Sequence, residues 1–129
     1  MKKFLMAASY ICITATLLLF LLISYLLINY SDVVSSNYLT YHHAKNDNLF
    51  ERGWLPDILP PSTFMISVNN NLDLNTSHGN FYLYKPDMNI FIDNLLITED
   101  KDKYKYTDEY NSVWYFHIND NGKVTYELN

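Results

Sequence analysis

Four histidines, fourteen acids and one cysteine are the side chains of this 129-residue chain that can carry chemistry, and their spacing is unfavourable for most of it. His42 and His43 are adjacent, whereas two histidines on one face of a helix would bind zinc from positions i and i+4. They read as a solvated pair, and no metal ligand set is expected. His117 alternates outward in a strand and His78 falls in a turn-rich stretch, with no nucleophile near either to complete a triad. Asn119-Asp120-Asn121-Gly122 resembles the middle of a calcium loop, but its first ligand position would be His117 and its twelfth Leu128. A hairpin turn is the cheaper reading. Lys101 to Tyr106 mixes three Lys with two Tyr among acids that cancel the charge, which implies a solvated loop. Asp73 and Asn75 fit an Asx-type turn better than an ion site. No catalytic constellation emerges, so no enzyme, no cofactor and no metal are expected. The polar residues left to bind something are Arg52, Trp54, Asp57, Asp73 and Asn75.

Something must hold those residues, and the first element is the plainest. Phe4 to Ile28 contains no Asp, Glu, Lys or Arg. About 20 apolar residues in helical form cross a bilayer, so residues 1–30 read as a single membrane anchor. A secretory core is shorter, about 7–15 residues, and ends at a small-residue cleavage site. Here the apolar run continues past such a length, and Val34-Ser35-Ser36 lies well beyond it. Cys12 precedes the leucine-rich stretch and lacks the small neighbour of a lipidated cysteine. Tyr25 and Tyr30 suit an interfacial position. Lys2 and Lys3 flank the near side and the next basic residue is Lys45, which puts the N-terminus in the cytoplasm and the rest outside it. The expected location is a bacterial plasma membrane.

Beyond the anchor the chain is acidic. All fourteen acids follow residue 31 against seven bases, a formal charge of −7. Such a domain should not seek nucleic acid. Cys12 lies in the apolar run, so no disulfide can staple the outer part, which must build its core from aromatics and aliphatics.

Residues 31–50 are polar without sustained periodicity and read as a juxtamembrane linker, leaving 51–129 as the domain. Pro56 and Pro60-Pro61 forbid a long helix or central strand, and permit one helical turn at Pro56–Leu59. Trp54, Leu55, Ile58 and Leu59 are expected to plug into the core. Phe64, Ile66 and Val68 alternate as a strand that Asn69-Asn70-Asn71 ends. A second strand is expected at Phe81–Tyr84. Pro86-Asp87 should open a helix with Ile90, Phe91 and Leu95 on one face, and 99–108 should be a charged loop. Trp114, Phe116 and Ile118 face Val124, Tyr126 and Leu128 across the Asn119–Gly122 turn as a hairpin. The order implies an α+β fold, a small mainly antiparallel sheet with one or two short helices.

The segment Gly53-Trp54-Leu55-Pro56-Asp57-Ile58-Leu59-Pro60-Pro61-Ser62, followed by Asn71-Leu72-Asp73-Leu74-Asn75-Thr76 and Gly79-Asn80-Phe81-Tyr82-Leu83-Tyr84, resembles the YbbD head domain of small bacterial membrane-anchored proteins. The resemblance spans about residues 52–96. Thr63 stands where the pattern has Ala, and Asn71 where it has Asp. It implies topology and fold and supplies no catalytic residue. The functional expectation is a non-enzymatic binding module for a protein or cell-envelope partner. An immunity-type inhibitor of a basic toxin is the alternative, and a small envelope hydrolase built on Asp57, Asp73 or a histidine a weaker one.

Overall fold

A computed structural model describes residues 1–30 and 32–129, in two compact units that part at Ser31. The first unit is one helix, α1 (Lys2–Asn29), with 28 residues and a length of about 42 Å. It is long and apolar enough to cross a membrane, a test that a signal sequence also passes. Thr14, Thr16 and Asn29 satisfy their side chains within the helix. The Thr14 and Thr16 hydroxyls donate to the carbonyls of Tyr10 and Cys12, one turn back.

The second unit is a seven-stranded antiparallel sheet with two short helices, the α+β arrangement expected. Its strands are β1 (Val33–Thr40), β2 (Phe64–Asn71), β3 (Thr76–Tyr82), β4 (Leu96–Ile97), β5 (Lys103–Thr107), β6 (Val113–Ile118) and β7 (Lys123–Leu128). Their spatial order is β1-β2-β3-β7-β6-β5-β4. After β3 the chain crosses through a 3-10 turn at Lys85–Asp87 and α3 (Met88–Ile92) to the opposite edge, then returns strand by strand until β7 pairs with β3.

Alternation decides which face is covered. Ile66, Val68, Phe81, Trp114, Phe116, Val124, Tyr126 and Leu128 point to one side and are buried there. Over them lie Leu49, Leu55 and Leu59 from the chain before β2, and Phe91 and Leu95 from the crossover. Phe91 meets Phe81 and Phe116 edge-on, with centroids 5.5 and 5.2 Å apart. Gly79 is required by a close approach: a Cβ there would meet the Ser67 carbonyl oxygen at 2.0 Å and the Tyr126 hydroxyl at 2.9 Å. Gly122 takes φ +88° in the β6–β7 turn, which forms where the sequence places it.

Several expectations are corrected. Residues 31–50 are not a linker, apart from Ser31, which lies outside the described residues. Residues 33–46 are β1 and α2 (Tyr41–Asn46), and the compact unit begins at Asp32 rather than at residue 51. β1 mixes polar and apolar side chains without alternation, is held by backbone pairing with β2, and buries only Tyr38. Nor does the asparagine run end β2. The strand continues through Asn71, and the turn falls at Leu72–Asn75, where Asn71 Oδ1 accepts from Leu74 N and Asn75 takes φ +50°. His78 therefore lies within β3. The Pro56–Leu59 segment is not helical; the Ile58 N–H donates to the Pro56 carbonyl in a three-residue turn. Ile90 is exposed, leaving Phe91 and Leu95 as the buried face of the crossover. The loop expected over 99–108 holds β5, whose Tyr104 and Tyr106 pack against the core while Lys103 and Lys105 alternate away from it.

Phe91→Ala should cost about 3–5 kcal/mol in denaturant unfolding of the full chain, followed by tryptophan fluorescence. Exposed Ile90→Ala should stay within about 0.5 kcal/mol of wild type. Equal losses would mean that α3 is not seated on the sheet as described.

Candidate functional site

The turn between α2 and the proline segment brings Arg52 and Trp54 together. Leu49 and Leu55 are fully buried and pin both ends of that turn. Between them the N–H groups of Arg52, Gly53 and Trp54 donate back to the carbonyls of Asn48, Phe50 and Leu49, with Gly53 at φ +71°. The Arg52 guanidinium then lies 4.2 Å from the Trp54 ring, a cation–π contact. Its Nη2 is 2.8 Å from Asp47 Oδ2 and also donates to the Asp47 carbonyl. Trp54 is half-buried, not the fully enclosed plug expected from the sequence. Its carbonyl accepts from the buried Ser77 hydroxyl at 3.2 Å, which ties the segment to β3.

Beside this stack is a hollow of about 110 Å³, lined by Arg52, Trp54, Asn70, Asn75, Ser77 and Leu128 among others. Asn70 is 3% exposed and its amide Nδ2 has no hydrogen-bond partner within the protein. A buried amide donor left unpaired costs free energy, and Asn70 is one of the residues that line the hollow. Arg52, Trp54 and Asn75 of the sequence-derived set thus share one site.

Asp57 and Asp73 do not join them. Asp73 occupies the β2–β3 turn and hydrogen-bonds Asp32, a contact that pushes the Asp32 carboxyl up. Asp57 accepts from the Tyr41 hydroxyl at 2.6 Å. Burial first, and that bond second, push the Tyr41 phenol up to about 12. Asp57 lines a separate hollow of about 290 Å³ with Asp108 and Glu109. A hydrolase would want two carboxylates free to trade protons there. Asp108 instead accepts from Tyr110 N and Ser112 N at 2.9 Å and from Trp114 Nε1 at 3.0 Å, so it serves as a clamp for the β5–β6 turn and the buried indole.

Three participants escaped the sequence reading. Asn70 was hidden in a run that looked like a strand stop, although it continues the period of Ile66 and Val68. Asp47 and Tyr38 lay in what read as linker. The Tyr38 hydroxyl donates to Asp47 Oδ2 at 2.6 Å, and this bond, followed by Arg52, holds the Asp47 carboxyl below the usual carboxylate range. A carboxyl depressed on folding stabilises above its unfolded pKa, and the contribution fades as pH falls through the folded value. In a carboxyl-carbon NMR titration, Tyr38→Phe and Arg52→Gln should each raise the Asp47 midpoint. A midpoint unmoved in either variant would mean that its contact does not hold the carboxylate.

No curated protein and no solved structure gives a significant match to this chain. Residues 32–82, from the start of the compact unit to the end of β3, match the family model of the YbbD head domain, which bears out the resemblance carried by the Trp54–Pro61 segment, extends it back through β1 and α2, and ends it at residue 82 rather than 96.

Proposed function

We propose that this protein is a single-pass, membrane-anchored binding module without catalytic activity, whose Asp32–Asn129 unit lies outside the cytoplasm of a bacterial plasma membrane. Its partner is a protein or envelope component met at the Arg52–Trp54 stack. One observation carries the reading: a half-exposed tryptophan capped by an arginine borders a small cavity, and Asn70, whose buried amide is unpaired, is among its lining residues. Tryptophan and arginine are the side chains most often responsible for binding energy at interfaces, above all beside a pocket. The engagement of Asp57 and Asp108 in local hydrogen bonds supports a binding role over hydrolysis. The run of α1 from Phe4 to Ile28, free of Asp, Glu, Lys and Arg, supports the anchor, and Lys2 and Lys3 at its start support the orientation.

A photo-crosslinking residue at exposed Asn75, in the full chain in native membranes, should give a discrete adduct. Arg52→Ala and Trp54→Ala should each remove it. Since Trp54 is half-buried, its truncation should cost less than the roughly 3–5 kcal/mol of an enclosed tryptophan, and the variant should remain folded. An adduct that persists in both variants would refute the site. A reporter active only in the cytoplasm, fused after Asn129, should be silent; activity there would refute the orientation.

A further inference from the structure

The sheet has a second face, away from the core, whose middle is built of hydrogen-bonding side chains in register, with Leu39, Met65 and Tyr82 forming an apolar end beside Asn37, Ser67 and Asn80. One row crosses six strands through Ser35, Asn69, His78, Glu127, Tyr115 and Lys105. The next crosses the same strands through Asn37, Ser67, Asn80, Thr125, His117 and Lys103. Neither row contains an aliphatic side chain. At about 4.8 Å per strand each row is roughly 24 Å long.

The charge of this face opposes that of the unit. Glu127 is the sole acid in any strand among the described residues, while Lys103, Lys105 and Lys123 all project from this side. The face is therefore positive by two charges before its histidines are counted, on a unit that carries −7. The remaining acids lie in turns, loops and helical segments. A hollow of about 320 Å³ opens where the two rows meet, lined by His78, Lys103, Tyr115, His117, Thr125 and Glu127. Within it Lys103 Nζ lies 4.7 Å from the Tyr115 ring centroid and 3.7 Å from Glu127 Oε1. Acids sit at its rims in turns, Asp102 and Asp120 among them, and only Glu127 stands on it.

We propose that this face binds an acidic saccharide, laid across the strands with an acid group at the Lys103–His117–His78 hollow and its hydroxyls on the asparagine, serine and threonine rows. Charge complementarity selects an anion. The rows select a sugar over an acidic protein, because amides and hydroxyls pair with sugar hydroxyls, whereas a protein interface has an apolar centre and the apolar residues here, Leu39, Met65 and Tyr82, lie at one end. The surface is separate from the Arg52–Trp54 hollow, whose lining residues Asn70, Ser77 and Leu128 belong to the covered face.

The test uses the full chain in detergent micelles with tetragalacturonate as probe, and a neutral tetrasaccharide and tetraglutamate as comparators. Tetragalacturonate should bind, shift the ring resonances of His78 and His117 and leave those of His42 and His43 in place. Its affinity should fall as salt rises. Lys103→Ala with His117→Ala should weaken it by roughly tenfold or more, about 1.4 kcal/mol, and Arg52→Ala should leave it unchanged. Unaltered melting of these exposed-site variants checks their folding, and the wild-type resonances report binding without any variant. No shift at His78 or His117, equal binding of tetraglutamate or of the neutral sugar, or indifference to the double substitution would each overturn the proposal.

Discussion

Phe91 stands edge-on to Phe81 and Phe116 at 88° and 89°, and the rest of the domain depends on that contact. Edge-to-face pairs are worth about 0.5–1.5 kcal/mol beyond the area they bury. Their larger effect here is topological. After β3 the chain must travel to the far edge before it can return to pair, and Phe91 fixes the path of that crossover over the apolar face. With α3 seated, the Leu49–Leu59 segment closes the remainder, and Tyr126 fills the space left by a glycine on the neighbouring strand. One face of the sheet is then dry and the other is free.

The carboxylates follow from the same arrangement. Asp108 clamps the Trp114 indole, Asp47 holds Tyr38 and Arg52, and Asp57 takes the Tyr41 hydroxyl. Each acid ties a connecting segment to an element beneath it. With acids concentrated in the connections and lysines along the strands, an acidic domain acquires one basic side. The Arg52–Trp54 stack is a by-product of the turn that lets Leu49 and Leu55 both enter the core.

Much of this was legible in the sequence, for physical reasons. In β6 and β7, alternation of large apolar residues meets an Asn-Asp-Asn-Gly turn, so pattern and turn chemistry agree. In α1 nothing competes with the apolar run. By contrast β1 and β5 were invisible because polar and apolar residues do not alternate cleanly in them: β1 turns Val34, Ser36, Tyr38 and Thr40 inward and Val33, Ser35, Asn37 and Leu39 outward, and β5 alternates tyrosine with lysine. Backbone pairing, which has no sequence signature, holds both. The site was half legible: Arg52, Trp54 and Asn75 came with the tryptophan–proline segment, but the buried Asn70 looked like punctuation. Asp57 and Asp73 lie close to them in sequence, but their carboxyls hydrogen-bond Tyr41 and Asp32 instead.

The claim on which everything else rests is that the sheet has one sealed and one open face. Hydroxyl-radical footprinting of the full chain in detergent tests it side chain by side chain. His78, His117 and Tyr115 should be modified rapidly, while Phe81, Phe91, Trp114, Phe116 and Tyr126 stay protected until the domain unfolds. Rapid modification of Phe91 and Phe116 under native conditions, or protection of His78 and His117 in the chain on its own, would contradict the two-faced sheet.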